Sequence, residues 1–144
     1  MSLLFAISFF LVSTTAQAAD KVPTVELLAR ASNGTEVVRA DPLGVIVVDF
    51  SGDFCTPCKV NEPHVRAFAA RYGWSLVIIN VEDAGTDSLR KKYNITFVPR
   101  YLVFSKGVLI DVIDFDSYST KETVEQARAR INARFGKTAK LLGQ

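Results

Sequence analysis

The chain has 144 residues, 49% of them apolar, which is room for one domain and enough to bury a real core. Seventeen basic and fifteen acidic residues leave a formal charge of +2, interspersed without a block of five like charges, which excludes a nucleic-acid partner held by a basic face. No internal repeat, low-complexity tract or Pro/Gly/Ser linker divides the sequence, so a single domain is the economical organisation.

The first element is free of charge. Residues 1–19 contain no Lys, Arg, Asp or Glu, and residues 3–12 are apolar except for Ser8. That run is short of the about 20 apolar residues that span a bilayer. Ser13-Thr14-Thr15 follows, then Ala16-Gln17-Ala18, a small-x-small pattern, so residues 1–19 read as a secretory signal peptide cleaved after Ala18 or Ala19. The segment lacks a basic start, and the competing reading is an uncleaved membrane anchor. Either way the domain, residues 20–136, leaves the cytoplasm for a periplasmic or secreted location.

Residues 24–31 read as a first strand. Residues 34–40 read either as a short helix or, through an Asn33-Gly34 turn, as the second arm of a hairpin. Residues 45–50 are, apart from Asp49, a β-branched and aromatic run, the pattern of a strand buried on both faces. It points at Cys55 and Cys58. From Pro57 the pattern turns helical, with Val60, Val65, Phe68, Ala69 and Tyr72 on one stripe, Pro63 inside it and Gly73 closing it. A second buried strand covers 75–81. Asp87 caps a short helix carrying Leu89 and Tyr93, stopped by Asn94. Ile95-Thr96-Phe97-Val98-Pro99 leads into a strand at 101–104, and Ser105-Lys106-Gly107 turns into another at 108–113. Ser119 and Glu122 read as a capping box for a last helix with Val124, Ala127, Ile131 and Phe135 on one face. Gly136 ends it, and residues 137–144 read as a loose C-terminal tail.

The order of elements predicts an α/β sandwich with a mixed central sheet flanked by helices, closed by a β-hairpin and a helix. The cysteines fall at the carboxyl end of a central strand, where open α/β sheets place their sites.

Two thiols three positions apart at a helix start close into a small reversible disulfide that can hold or donate two electrons. A loop that short removes little unfolded-state entropy and staples nothing. Haem attachment would need a histidine after the second cysteine, where Lys59 stands. Zinc would need four ligands, and the chain offers two thiols, His64 and carboxylates. Neither metal nor cofactor is expected. His64 reads as a helix-surface residue, Lys59 either as a positive charge near the thiols or as a solvated side chain, Trp74 as packing at a helix end, and Tyr93, Tyr101 and Tyr118 as structural.

Val47-Val48-Asp49-Phe50, Cys55-Thr56-Pro57-Cys58-Lys59, Pro63 five residues after the second cysteine, and Val98-Pro99 before a hairpin together resemble the thioredoxin family. The resemblance covers residues 45–135 and implies a thioredoxin-like fold and thiol:disulfide exchange. Cys55 would be the nucleophile and Cys58 its resolving partner. On pattern alone Asp49 is either an exposed strand-end residue or a buried acid; the resemblance implies the buried acid, able to take the proton of Cys58. Pro99 either ends a strand or, as the resemblance implies, follows a cis bond facing the disulfide, with Val98 offering its backbone to an extended substrate. Thr56 and Pro57 join the candidate substrate surface, with Phe54 reading either as a substrate platform or as loop packing.

Ser51, Phe54, Thr56 and Arg100 depart from the family pattern, which bears on substrate choice and potential and leaves the thiol chemistry intact. A second comparison, the exported TlpA-like branch, fits Asn33-Gly34, but the stretch from Asn80 to Pro99 is short for its extra segment. The expected protein is an exported monomer that exchanges electrons with protein thiols and disulfides, leaning reductase, served by an upstream redox partner. It would touch a membrane only through an uncleaved anchor. The alternative is a non-catalytic thioredoxin-fold module that holds an extended peptide.

Overall fold

The computed structural model describes residues 36–37, 44–115 and 121–144. The signal segment, the strand predicted at 24–31, Tyr118 and Ser119 lie outside them. Along the chain the elements are β1 (Glu36–Val37), β2 (Val45–Ser51), α1 (Thr56–Tyr72), β3 (Ser75–Asn80), α2 (Asp87–Lys92), β4 (Arg100–Ser105), β5 (Val108–Asp114) and α3 (Val124–Leu141). Of the two readings of residues 34–40, the strand holds for Glu36 and Val37.

The strands form one sheet in the order β1-β3-β2-β4-β5. β2 runs parallel to β3 and antiparallel to β4, β5 returns antiparallel to β4, and β1 lies antiparallel on β3. A strand paired on both sides and covered on both faces favours apolar residues on both, which is why residues 45–50 show no alternation and are apolar except for Asp49. Its odd and even positions serve two cores. Val47 packs with Leu76, Tyr101 and Val103 against Phe68 of α1 and Phe135 of α3. Ile46, Val48 and Phe50 pack with Val77 and Ile79 against Leu89 of α2 and Ile95. Each such side chain contributes about 1.5–3 kcal/mol, so this double burial fixes where β2 ends and hence where Cys55 stands.

Local chemistry sets most of the boundaries. Gly73 ends α1 at φ 65, a left-handed conformation that side chains resist. Asn94 follows α2 at φ 51, and Lys106 and Gly107 turn the β4–β5 hairpin at φ 49 and 80. α1 runs unbroken through Pro63.

Six expectations need correction. Thr123, not Ser119, caps α3: its hydroxyl accepts from Gln126 N and the Gln126 side chain accepts from Thr123 N, at 3.2 and 2.8 Å. Val124, placed on the inner face by pattern, is 65% exposed. Gly136 does not stop the helix, because Thr138 and Ala139 are buried on the same face and Thr138 and Arg134 bond Asp111 of β5. These contacts outweigh the about 1 kcal/mol that a mid-helix glycine costs. Residues 137–144 are therefore no loose tail, and Gln144 Oε1 accepts from Trp74 Nε1 at 2.7 Å. Finally, Thr86 rather than Asp87 precedes α2, and Val60 is only half-buried, the inward position going to Asn61.

Candidate active site

β2 leaves the sheet at Ser51 and the chain turns at once into α1. Cys55 N donates to Gly52 O at 3.0 Å, closing that turn. A Cβ on Gly52 would stand 2.7 Å from the Phe54 ring, so a side chain there would displace that exposed ring. The turn is moored to the neighbouring strand: Val81 N donates to Ser51 O and Asp53 N to Glu82 Oε2, both at 2.8 Å.

Cys55 is the N-cap of α1, in extended backbone, and its sulfur accepts from Cys58 N at 3.2 Å. That position usually carries a Ser, Thr or Asp oxygen. Here it carries sulfur, with Pro57 in the first turn and no acidic residue there to oppose the helix dipole. Cys55 and Cys58 are joined as a disulfide, their Cα atoms 5.3 Å apart. Cys58 is the more covered at 1% exposure, yet Cys55 is also nearly closed at 4%.

Asp49 is the buried acid of the two readings, 1% exposed on the sheet face that α1 and α3 cover. Burial first, and the Glu62 carboxylate second, push its pKa up to about 8, against the pull of Arg66. Its Oδ1 has no hydrogen-bond partner among the described residues. The residue directly across the sheet is Tyr101, fully buried, its ionisation pushed up by burial and then by Asp49.

The Val98–Pro99 bond is cis. Val98 makes no backbone hydrogen bond among the described residues. A cleft of about 100 Å³ brings Pro57 of α1 together with Val98 and Pro99. Phe54 stands 67% exposed and lines a second groove with Val81 and Val98, so the ring is presented outward rather than used as loop packing. Thr56 is exposed and lines neither.

Sequence reasoning missed a polar chain behind the first cleft. Asn61, buried three residues after Cys58, accepts from Arg130 Nη2 at 2.9 Å, and its side chain lies beside the Tyr101 hydroxyl. Arg130 grips Glu122 at 2.7 and 2.6 Å, which holds that carboxyl below its ordinary range. Its guanidinium stacks 4.5 Å from the Phe115 ring centroid. The one sequence signal was Asn61 itself, an amide one turn past Cys58 where the stripe called for an apolar residue. Arg100, noted as a departure, is a tether: Nη1 donates to Asn94 O at 2.7 Å and Nε lies 3.1 Å from Asp114 Oδ1.

Comparison with known proteins places this geometry. The family model for thioredoxin matches residues 22–130. A thioredoxin of Porphyra purpurea is 27% identical over 90 residues, which make up 62% of this chain and 82% of that protein. Thioredoxin-T of Drosophila melanogaster is 32% identical over 63 residues, 44% of this chain and only 40% of that longer relative. Thioredoxin 1 of Thermosipho africanus shares the fold at a TM-score of 0.52 and 15% identity, over 69% of this chain and 99% of its own. With a family match over most of its length and a Cys55–Cys58 disulfide capping α1, the chain belongs to the thioredoxin family and is a thiol:disulfide oxidoreductase.

Proposed function

We propose that this chain is an exported oxidoreductase that reduces protein disulfides through Cys55-Thr56-Pro57-Cys58. The observation that carries the reading is the Cys58 amide aimed at Cys55 sulfur on an unopposed helix N-terminus, above a sheet face holding a buried acid. A free thiol with a pKa of about 8.5 is only about 3% ionised at pH 7. Reaching about one half requires about 2 kcal/mol of preference for the anion. The helix dipole contributes about 0.3–1 kcal/mol and a hydrogen bond to a charged acceptor about 1.5–3 kcal/mol. The two together suffice.

The cycle follows. Cys55 thiolate attacks a substrate disulfide; one substrate sulfur leaves as thiolate and takes a proton from water. In the fraction of molecules in which Asp49 is ionised, about a tenth at pH 7 for a pKa of about 8, Cys58 gives its proton to the Asp49 carboxylate and attacks Cys55 sulfur, and the second substrate sulfur leaves as thiolate. The product is the Cys55–Cys58 disulfide with Asp49 protonated, the state that a carboxyl with pKa about 8 adopts at neutral pH. When an upstream dithiol reopens the disulfide, Cys58 leaves as thiolate and recovers that proton. Pro57 stiffens the ring and favours its closure, which supports the reducing direction.

Export rests on the charge-free, apolar residues 1–19 and the Ala16-Gln17-Ala18 pattern. Among the described residues no helix is long and apolar enough to cross a membrane.

Insulin reduction by dithiothreitol tests the chemistry. Wild type is expected to accelerate precipitation well above background and Cys55→Ser not at all, with a glutathione-equilibrated potential nearer about −270 than −120 mV. Equal rates for the two proteins would leave a peptide-holding module, and a potential near the upper value would make the chain an oxidant. Export is read separately: produced with its native amino terminus in a bacterium, the protein should be recovered from the periplasm beginning at residue 19 or 20. An intact amino terminus in the cytoplasm contradicts that half of the proposal, while an intact one in the membrane fraction favours the anchor.

Asp49 ties the chemistry to stability. The carboxyl ionises at 3.8 in its ordinary state and at about 8 in the fold. Below about pH 4 both states are protonated; between about 4 and 8 only the unfolded chain releases the proton, so stability falls by up to about 1.4 kcal/mol per pH unit. Above about pH 8 the deficit is constant. Asp49→Asn removes this titration, so its stability relative to wild type in urea should rise by about 3–5 kcal/mol from pH 4 to pH 9. A difference that stays flat over that range contradicts a proton held at Asp49.

A further inference from the structure

Two large aromatic rings stand in solvent beside the cysteines, and both line the same groove. Phe54 directly precedes Cys55, and Phe97, two residues before the cis Pro99, is 48% exposed. With Val81, Ile95 and Val98 they enclose about 240 Å³. Small-molecule pockets begin at about 300 Å³, so this groove is sized for one bulky side chain rather than a free ligand.

Each ring has a neighbour to rest on. Phe54 lies over Gly52, where no side chain intervenes. Phe97 is covered by the Arg100 guanidinium, 5.3 Å from its centroid, and Arg100 is itself tied to Asn94 O and to Asp114. A cleft whose walls do not have to be ordered on binding keeps more of its apolar contact energy as affinity.

The rim is basic. Arg90 of α2 lines the groove, and its Nε, shielded from solvent, has no hydrogen-bond partner among the described residues. Its ion pair with Asp87 is long, 3.6 Å, and Asp87 is largely exposed, so that pair neutralises little. A hollow next to the groove shares Arg90, Ile95 and Thr96 with it and adds Asp87, Lys91 and Asn94.

We infer that Phe54, Phe97 and Arg90 select the substrate: an extended polypeptide with a bulky apolar residue beside its disulfide cysteine and an acidic residue next to that. The inference rests on the proposed disulfide exchange at Cys55, which brings the substrate cysteine to the groove's end. Phe97 acts as the second wall of the cleft and Arg90 as the counter-charge, while Arg100 positions Phe97.

The test uses four disulfide-bonded peptides that carry Phe or Ala beside the cysteine and Glu or Lys beyond it. For wild type, kcat/KM should be at least about tenfold higher for Phe-Glu than for Ala-Lys, with the difference in KM. In Phe97→Ala the Phe-over-Ala ratio should fall towards one, and in Arg90→Gln the Glu-over-Lys ratio should do so. Equal kcat/KM on all four peptides with wild type, or ratios that survive both substitutions, would overturn the inference. Hydroxyethyl disulfide, which fills no cleft, separates the two levels: no turnover of it by wild type refutes the exchange chemistry. The cleft is then still decided by the affinities of the same peptides, with serine for cysteine, for the oxidised protein.

Discussion

The hydrogen bond from the Cys58 amide to Cys55 sulfur is the contact on which the rest of the site depends. It exists because sulfur occupies the N-cap of α1, and sulfur occupies that cap because β2 is fixed by burial on both faces and released by the turn that Cys55 N closes on Gly52 O. A shift of β2 by one residue would exchange its two cores and carry the cap away from the cysteine. The redox pair is therefore placed by the most stable part of the sheet, although the bond that positions it is a single local one.

The same rigidity sets the electrostatics. Asp49 and Tyr101 face each other across β2 and β4 with no water-exposed route of their own, and burial makes the proton on Asp49 hard to remove. An acid kept neutral in this way costs the fold stability once the unfolded chain can ionise, a penalty the double core has to offset. Behind it, Asn61, Arg130 and Glu122 satisfy one another across α1 and α3, so the positive charge of Arg130 is balanced before it reaches the buried acid. The two neighbours that act most directly on Asp49, Glu62 and Arg66, are themselves paired at 2.8 Å. Desolvation is left as the dominant influence.

What the sequence disclosed follows from how local each cause is. The cysteine spacing, Gly73, Asn94 and Lys106-Gly107 are decided within a few residues, and each stands where the pattern placed it, while the cis bond before Pro99, which pattern left open, is the one the resemblance implied. The capping box read at Ser119 and Glu122 misled because Glu122 is bound by Arg130, eight residues on, leaving the cap to Thr123. Gly136 misled because the reason to continue the helix lies on β5, at Asp111. Phe97 and Arg90 passed unnoticed because nothing in their spacing shows that α2 and the loop before Pro99 share a groove with Phe54.

The direct measurement of the central claim is the alkylation rate of the reduced Cys58→Ser protein by iodoacetamide as a function of pH, which reports ionisation of Cys55 alone. The account predicts a midpoint of about 7, well below the about 8.5 of an ordinary thiol. A midpoint at or above the ordinary value would show that the helix terminus and the amide at residue 58 do not stabilise the thiolate, and the site as described would not be a redox centre.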